Sequence, residues 1–240
     1  MECRRALSPS KLPDMDYALN PYSGCAHGCV YCYAPEVTHS EWEGWRIPKA
    51  KMNIARRLSL ELPNIKGIIG IGTVTDPYQP VESELGLTLQ CLRVLKERDI
   101  RIHMHTKSDL ILRDIDLLSE MECTVGITIT GIEERESKMT EPGAPMPSRR
   151  LEAIAELADA GIDVYALVGP VLNHLEGREG AFVDAVVGTG VKLIYIDSLN
   201  PRPFLSERLA RMRFSSSPSA ERRIKELAEA AGVEVRPVFL

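Results

Sequence analysis

Apolar and polar residues follow two rhythms along this chain. Short apolar runs rich in β-branched residues occur at 66–73 (KGIIGIGT), 123–130 (CTVGITIT) and 191–197 (VKLIYID). Such runs predict buried strands of a parallel sheet. Between them the apolar spacing changes to three and four, as on one face of a helix. Ile54, Leu58 and Leu62 mark a helix over 50–62, and Leu85, Leu89, Leu92 and Leu95 mark another over 82–98. The same patterns predict strands at 16–22, 100–106, 162–169 and 233–239, and helices at 110–121, 148–160, 180–187 and 219–232. Ser148 and Ser219 are the expected helix caps, with Gly161 and Gly232 as stops.

Strand and helix therefore alternate about six times, which predicts βαβ units around a parallel sheet. An open doubly wound sheet and a full or partial barrel both fit that alternation. In either, chemistry gathers at the C-terminal ends of the strands. The polar residues fall there: Thr73, Thr75 and Asp76; Thr106, Lys107 and Ser108; Thr128 and Thr130; Asn173 and His174; Asp197, Ser198, Asn200 and Arg202. No repeat or linker divides the chain, so 1–240 is expected to be one domain, with an N-terminal extension over about 1–15 and a C-terminal helix and strand over about 200–240.

The formal net charge of −5 on 240 residues carries no global signal for nucleic acid. A local basic group, Arg202, Arg208, Arg211, Arg213, Arg222 and Arg223, lies near the C-terminus among Glu207 and Glu221. It fits a solvated helix face as well as a nucleic-acid contact. There is no signal peptide pattern and no apolar run long enough to span a bilayer. A cytoplasmic chain with no membrane partner is the expectation, and its thiols would be reduced.

That changes the weight of residues 20–34, NPYSGCAHGCVYCYA. Cys25, Cys29 and Cys32 are spaced C-x3-C-x2-C among Pro21, Gly24, Gly28 and Pro35, which punctuate the stretch as a loop. A loop lets three thiolates converge, and thiolates select zinc or iron–sulfur clusters. Zinc wants a fourth ligand, for which His27, His39 or distant Cys3 is available. An iron–sulfur cluster held by three cysteines leaves one iron open. Cys91 and Cys123 fall on apolar faces and are expected in the core.

The C-x3-C-x2-C motif followed by Tyr33 resembles the cluster loop of the radical S-adenosylmethionine (radical SAM) superfamily. Together with GTVTDPYQPVE, HTKS and EPGAPMPSRRLEAIAELADAGI, it resembles the spore photoproduct lyase-like branch. The resemblance runs over about 20–170. It implies a partial (β/α)6 TIM-like barrel with parallel strands, and a [4Fe–4S] cluster on Cys25, Cys29 and Cys32 whose open iron binds S-adenosylmethionine. It further implies that Gly72, Thr73, Thr75 and Asp76 receive the methionyl amino group, that Lys107 and Thr128 serve the carboxylate, and that Tyr33 packs by the cofactor. Reductive cleavage there, fed by an electron donor such as a ferredoxin or flavodoxin, would give a 5′-deoxyadenosyl radical that abstracts hydrogen from a substrate.

In the spore photoproduct lyases, tyrosines beside the third cysteine help return the hydrogen, and Tyr31 and Tyr33 match them. Packing around the cluster and adenine is the alternative for both. Those enzymes also carry a hydrogen-donating cysteine at the position of Gly72, a departure that counts against thymine-dimer repair. Glu141 and Arg149 match the branch too, as an ion pair or a helix-start charge. A nucleic-acid lesion is the substrate the resemblance suggests. Modification of a peptide, protein or RNA, and a non-catalytic electron-transfer or scaffold role, are the competing expectations.

Overall fold

The structure, a computed structural model, describes residues 1–238. Its main sheet has eight strands: β1 (Leu7–Pro9), β2 (Tyr17–Leu19), β3 (Ile69–Ile71), β4 (Ile102–Thr106), β5 (Cys123–Thr128), β6 (Asp163–Val168), β7 (Leu193–Ile196) and β8 (Glu234–Pro237). They are hydrogen-bonded in that order. β1 pairs antiparallel with β2 and all later pairs are parallel. Seven strands, β2 to β8, run parallel; β2 to β7 form the expected partial barrel, with antiparallel β1 and parallel β8 at its edges. Phe239, the end of the last predicted strand, lies outside the described residues.

Besides the single-turn helices Ala34–Val37, Trp42–Trp45 and Glu82–Leu85, the helices are α1 (Ile54–Glu61), α2 (Leu87–Lys96), α3 (Ile115–Ser119), α4 (Glu134–Thr140), α5 (Pro147–Asp159), α6 (Glu179–Val187), α7 (Pro203–Arg211) and α8 (Pro218–Ala230). Their apolar stripes face the sheet: Ile54 and Leu58 of α1, Leu87, Cys91, Leu92 and Leu95 of α2, and Ile154 and Leu157 of α5 are buried in one core with the strand residues. That core is what holds the barrel mouth rigid, since burying each such side chain contributes about 1.5–3 kcal/mol.

Several boundaries differ from the sequence expectation, each for a local reason. The helix predicted over 82–98 is two, broken at Gly86; the buried Glu82 carboxylate accepts the amides of Thr88 (3.0 Å) and Leu89 (3.3 Å) at the start of α2. The helix predicted over 110–121 begins as a 3-10 segment, Asp109–Asp114, capped by Ser108. There Arg113 is drawn to Glu82 and Asp114, each at 2.8 Å. α5 starts at Pro147, so Ser148 is inside it and Met146 precedes it. α8 is capped by Ser217, not Ser219, through a 3.3 Å bond from the Ala220 amide. Strand β1 and helices α4 and α7 were not predicted.

Candidate active site

The cysteine loop leaves β2 and is fixed almost entirely through its main chain. The Cys25 amide donates to Trp45 (2.9 Å) and the Val30 amide to Thr140 (2.8 Å). Buried Gln79 accepts from the Ala26 amide at 2.9 Å and donates to the Gly24 carbonyl at 3.2 Å. On the far side, Gly143 donates to the His27 carbonyl at 2.9 Å. A Cβ at Gly143 would sit 2.2 Å from the Ala26 oxygen, so only glycine lets these two loops approach. The thiols are thus left free of structural work.

One cavity of about 460 Å³ opens at the C-terminal ends of the strands. Cys25, Cys29, Cys32, Tyr31, Tyr33, Gly72, Thr73, Thr75, Asp76, Lys107 and Thr128 all line it. Every residue that the resemblance assigned to the cluster, the cofactor or the hydrogen relay therefore lines the same cavity. Asn173 and His174 are not: Asn173 bonds the 213–215 main chain, and His174 Nε2 lies 3.0 Å from the Thr130 carbonyl. Cys3 is also elsewhere, its main chain paired with Asn53. Cys91 and Cys123 are in the core.

The electrostatics of the wall are uneven. Burial pushes the Cys25 thiol up to about 12, reinforced by the Asp76 charge. Burial also raises Cys29 and Cys32, against the pull of Lys107 on both. Three thiols in such surroundings become thiolates only beside a compensating cationic centre, which a metal cluster provides. Among the described residues no three His, Cys, Asp or Glu side chains approach closely enough to hold a metal ion. A closed zinc site would bring its thiolates to about 3.8 Å of one another around a single ion. The cysteines of a four-iron cluster bind different irons and stand farther apart. Three buried or half-buried thiols lining one cavity are a donor set that a four-iron cluster with one open iron would accept.

Asp76 would be raised by burial, but neighbouring His27, the Thr106 hydroxyl and the Lys107 amide hold it down at about 2. Its oxygens accept from Thr106 Oγ1 and Lys107 N, both at 2.7 Å, and from Tyr78 N at 2.9 Å. His27 Nδ1 stands 3.4 Å from Asp76 Oδ2 without hydrogen-bond alignment, and both its ring nitrogens are buried. Asp76 thereby ties the segment after β3 to the end of β4 and to the cysteine loop. Lys107 makes no ion pair among the described residues; its Nζ lies 5.5 Å from the Tyr31 ring centre. Thr75 Oγ1 is buried without a partner.

The two tyrosines differ. Tyr31 is buried and its hydroxyl donates to Glu141, which pairs with buried Arg150 at 2.6 Å. The pair is with Arg150, whereas Arg149 lies at the surface against Asp109 and Glu152. Tyr33 is exposed at the mouth, under the Arg202 guanidinium at 5.9 Å. Nearby Asp197 is pushed up to about 6 by burial and then by Glu221, while Lys107 pulls the other way.

Gly72 has φ +85°, and a Cβ there would lie 2.3 Å from the His105 carbonyl oxygen and 2.8 Å from Pro77 Cδ. Glycine is required on both counts. A Gly72→Cys variant should lose about 1–3 kcal/mol of stability, from overpacking against backbone and a strained left-handed residue. Urea unfolding under reducing conditions measures it.

Sequence reasoning missed three groups. Asn20 accepts the amides of Val74 (3.2 Å) and Thr75 (3.4 Å) and bonds Thr73 Oγ1 (3.0 Å), holding the 72–76 segment. Gln79 holds the cysteine loop. Deeper in the cavity His103 and His105 both bond the Tyr165 hydroxyl, at 2.7 Å for His103, with Tyr195 edge-on to the Tyr165 ring. Two histidines at alternate positions of one strand, IHMHT, were the available signal.

A parallel partial barrel with a three-cysteine loop at its C-terminal mouth defines a cofactor-using α/β-barrel protein. The family model of the radical SAM superfamily matches residues 19–179, and the chain belongs to that superfamily of enzymes, whose chemistry is radical and depends on S-adenosylmethionine. It is 32% identical over 180 residues to an uncharacterised protein of Methanocaldococcus jannaschii, covering 73% of this chain and 68% of that one. It is 28% identical over 204 residues to an uncharacterised Mycobacterium tuberculosis protein, covering 78% of this chain and 59% of the relative. Among solved structures, a spore photoproduct lyase variant superposes with TM-score 0.72 at 14% identity, over 98% of this chain and 80% of that one. SuiB of Streptococcus suis bound to S-adenosylmethionine superposes with TM-score 0.63 at 12% identity, over 92% and 49%. Both likenesses are of fold. No helix among the described residues is long and apolar enough to cross a membrane.

Proposed function

We propose that Cys25, Cys29 and Cys32 hold a [4Fe–4S] cluster and that S-adenosylmethionine binds beside it in the same cavity. The observation that carries this is the convergence of all three thiols with the 72–76 segment, Lys107 and Thr128 in the lining of one cavity. When bound, the pair supplies a 5′-deoxyadenosyl radical able to take hydrogen from an unreactive carbon. The chain's own part is positioning. Lys107, a cavity cation without a carboxylate partner, takes the cofactor carboxylate with the Thr128 hydroxyl beside it. The 72–76 segment offers carbonyls and the unpartnered Thr75 hydroxyl to the ammonium. Asp76 contributes to that subsite mainly by holding the segment in place. Tyr33 stands at the mouth where a substrate enters, while Tyr31 is anchored on Glu141.

One spore photoproduct lyase structure holds a dinucleoside spore photoproduct. Gly72 argues against the same reaction here, because the backbone leaves no room for a thiol at that position. Of the C-terminal basic group, Arg208 is bonded to the cysteine loop, and Arg211 and Arg223 pair with Glu207 and Glu226. The substrate reading is therefore hydrogen abstraction from a molecule other than a thymine dimer. The cluster's electron would come from a cytoplasmic one-electron donor such as a ferredoxin or flavodoxin.

The test is spectroscopic. The reduced, cluster-loaded protein should change its electron paramagnetic resonance spectrum when S-adenosylmethionine is added. Lys107→Ala should weaken that binding about 10–100-fold, the equivalent of one charge-assisted bond of about 1.5–3 kcal/mol. An unchanged spectrum in the wild type would count against the site.

A further inference from the structure

Helix α7 follows the last strand of the six-stranded barrel and packs on the outside of the cysteine loop. Leu205 and Leu209 are buried with Cys29, Val30 and Tyr31 in a small apolar cluster of their own. The Leu205 amide donates to the Glu36 carboxylate at 2.8 Å. From the same helix, Arg208 Nε donates to the Val30 carbonyl at 2.6 Å, and its terminal nitrogen donates to the Cys32 carbonyl at 2.7 Å. The guanidinium carbon lies over the Trp42 ring, 3.7 Å from its centre. No carboxylate pairs with Arg208 among the described residues.

This is an unusual use of an arginine. Its planar fork spans two carbonyls of a single loop, one of them belonging to the third cysteine itself, and the contact with the Trp42 ring restrains the fork. The loop receives the Arg208 charge, and the nearby Glu36 carboxylate, bonded to the Leu205 amide, offsets it only through space. Resting on the proposed cluster site, we propose that Arg208 is a positioning residue for that cluster: it locks the Val30–Cys32 segment and holds the cluster's reduction potential up. The physical reason is charge. A cluster gains negative charge on reduction, so a fixed cation nearby favours the reduced form, and net charge and hydrogen bonding are among the levers that set cluster potentials.

Three variants separate this role from simple support of α7. Arg208→Gln removes the charge, Arg208→Lys keeps it but loses the fork, and Leu209→Ala loosens the helix without touching either. With the cluster rebuilt, redox titration should place Arg208→Gln at a more negative potential than wild type, with Arg208→Lys near wild type and Leu209→Ala unchanged. Iron release to a chelator should be severalfold faster in Arg208→Gln and in Leu209→Ala. If Arg208→Gln retains no cluster while Arg208→Lys retains it, the charge and not the fork is what the cluster needs, and the locking half of the assignment is overturned. A fully loaded Arg208→Gln protein with wild-type potential would overturn the assignment and leave the cluster site intact. A wild-type protein that takes up no cluster would overturn both.

Discussion

Replacing Glu141 by alanine is expected to destabilise the protein by about 3–5 kcal/mol, because removing one partner strands the other charge in the interior. Glu141 and Arg150 are each 1% exposed and 2.6 Å apart. Arg150 also donates to the Pro145 carbonyl at 2.8 Å and the Thr128 carbonyl at 3.3 Å, so it cannot swing to water without releasing the end of β5. Tyr31 would lose its acceptor as well. The urea midpoint should fall by about 1–2 M. Glu141→Gln keeps an acceptor for Tyr31 but still strands Arg150, and should recover only part of the loss. Glu141→Leu combined with Arg150→Met should be more stable than Glu141→Ala alone, since an apolar pair replaces the unpaired charge. A double variant no better than Glu141→Ala would contradict the account.

The second large effect is at the thiols. Cys29 is the most buried of the three and is clasped between the Arg208-held segment and the apolar cluster of Leu205, Leu209 and Phe214. Cys29→Ala leaves two ligands where three are proposed. Loss of an outer-shell partner alone costs about 10–100-fold in metal affinity, so losing a ligand should cost at least about 100-fold. Iron in the anaerobically rebuilt variant should fall from about four per chain to background. Folding should be little affected, because the loop is held by main-chain bonds that the thiol does not make. Near wild-type iron in Cys29→Ala would remove Cys29 from the ligand set.

Much of the fold was legible because buried parallel strands and amphipathic helices write different rhythms. The six alternations appear as seven parallel strands with helices between them. What the rhythm did not carry was tertiary. Glu82 reaching back to Thr88 breaks a continuous helical pattern, and Arg113 held by two carboxylates bends the next one. Helix α7 was missed although Leu205, Leu209 and Met212 have helical spacing.

The site divides in the same way. The motif residues all reached one cavity, since chain order and strand polarity alone bring strand ends together. The residues that hold them there were less visible. Arg150 shares a helical face with Ala153, Ile154 and Leu157, while Arg149 shares one with Glu152 and Glu156. Taking that periodicity into account would have chosen Arg150 as the buried partner. Gln79, Asn20 and Arg208 gave no such signal, because each bonds main-chain groups that no sequence pattern marks.

The most direct measurement is 5′-deoxyadenosine formation by the anaerobically purified protein, with its cluster rebuilt, S-adenosylmethionine added and an effective reductant present. The account predicts 5′-deoxyadenosine and methionine from wild type and neither above background from Cys29→Ala. A cluster-loaded wild-type protein that forms neither product would contradict the proposed activity.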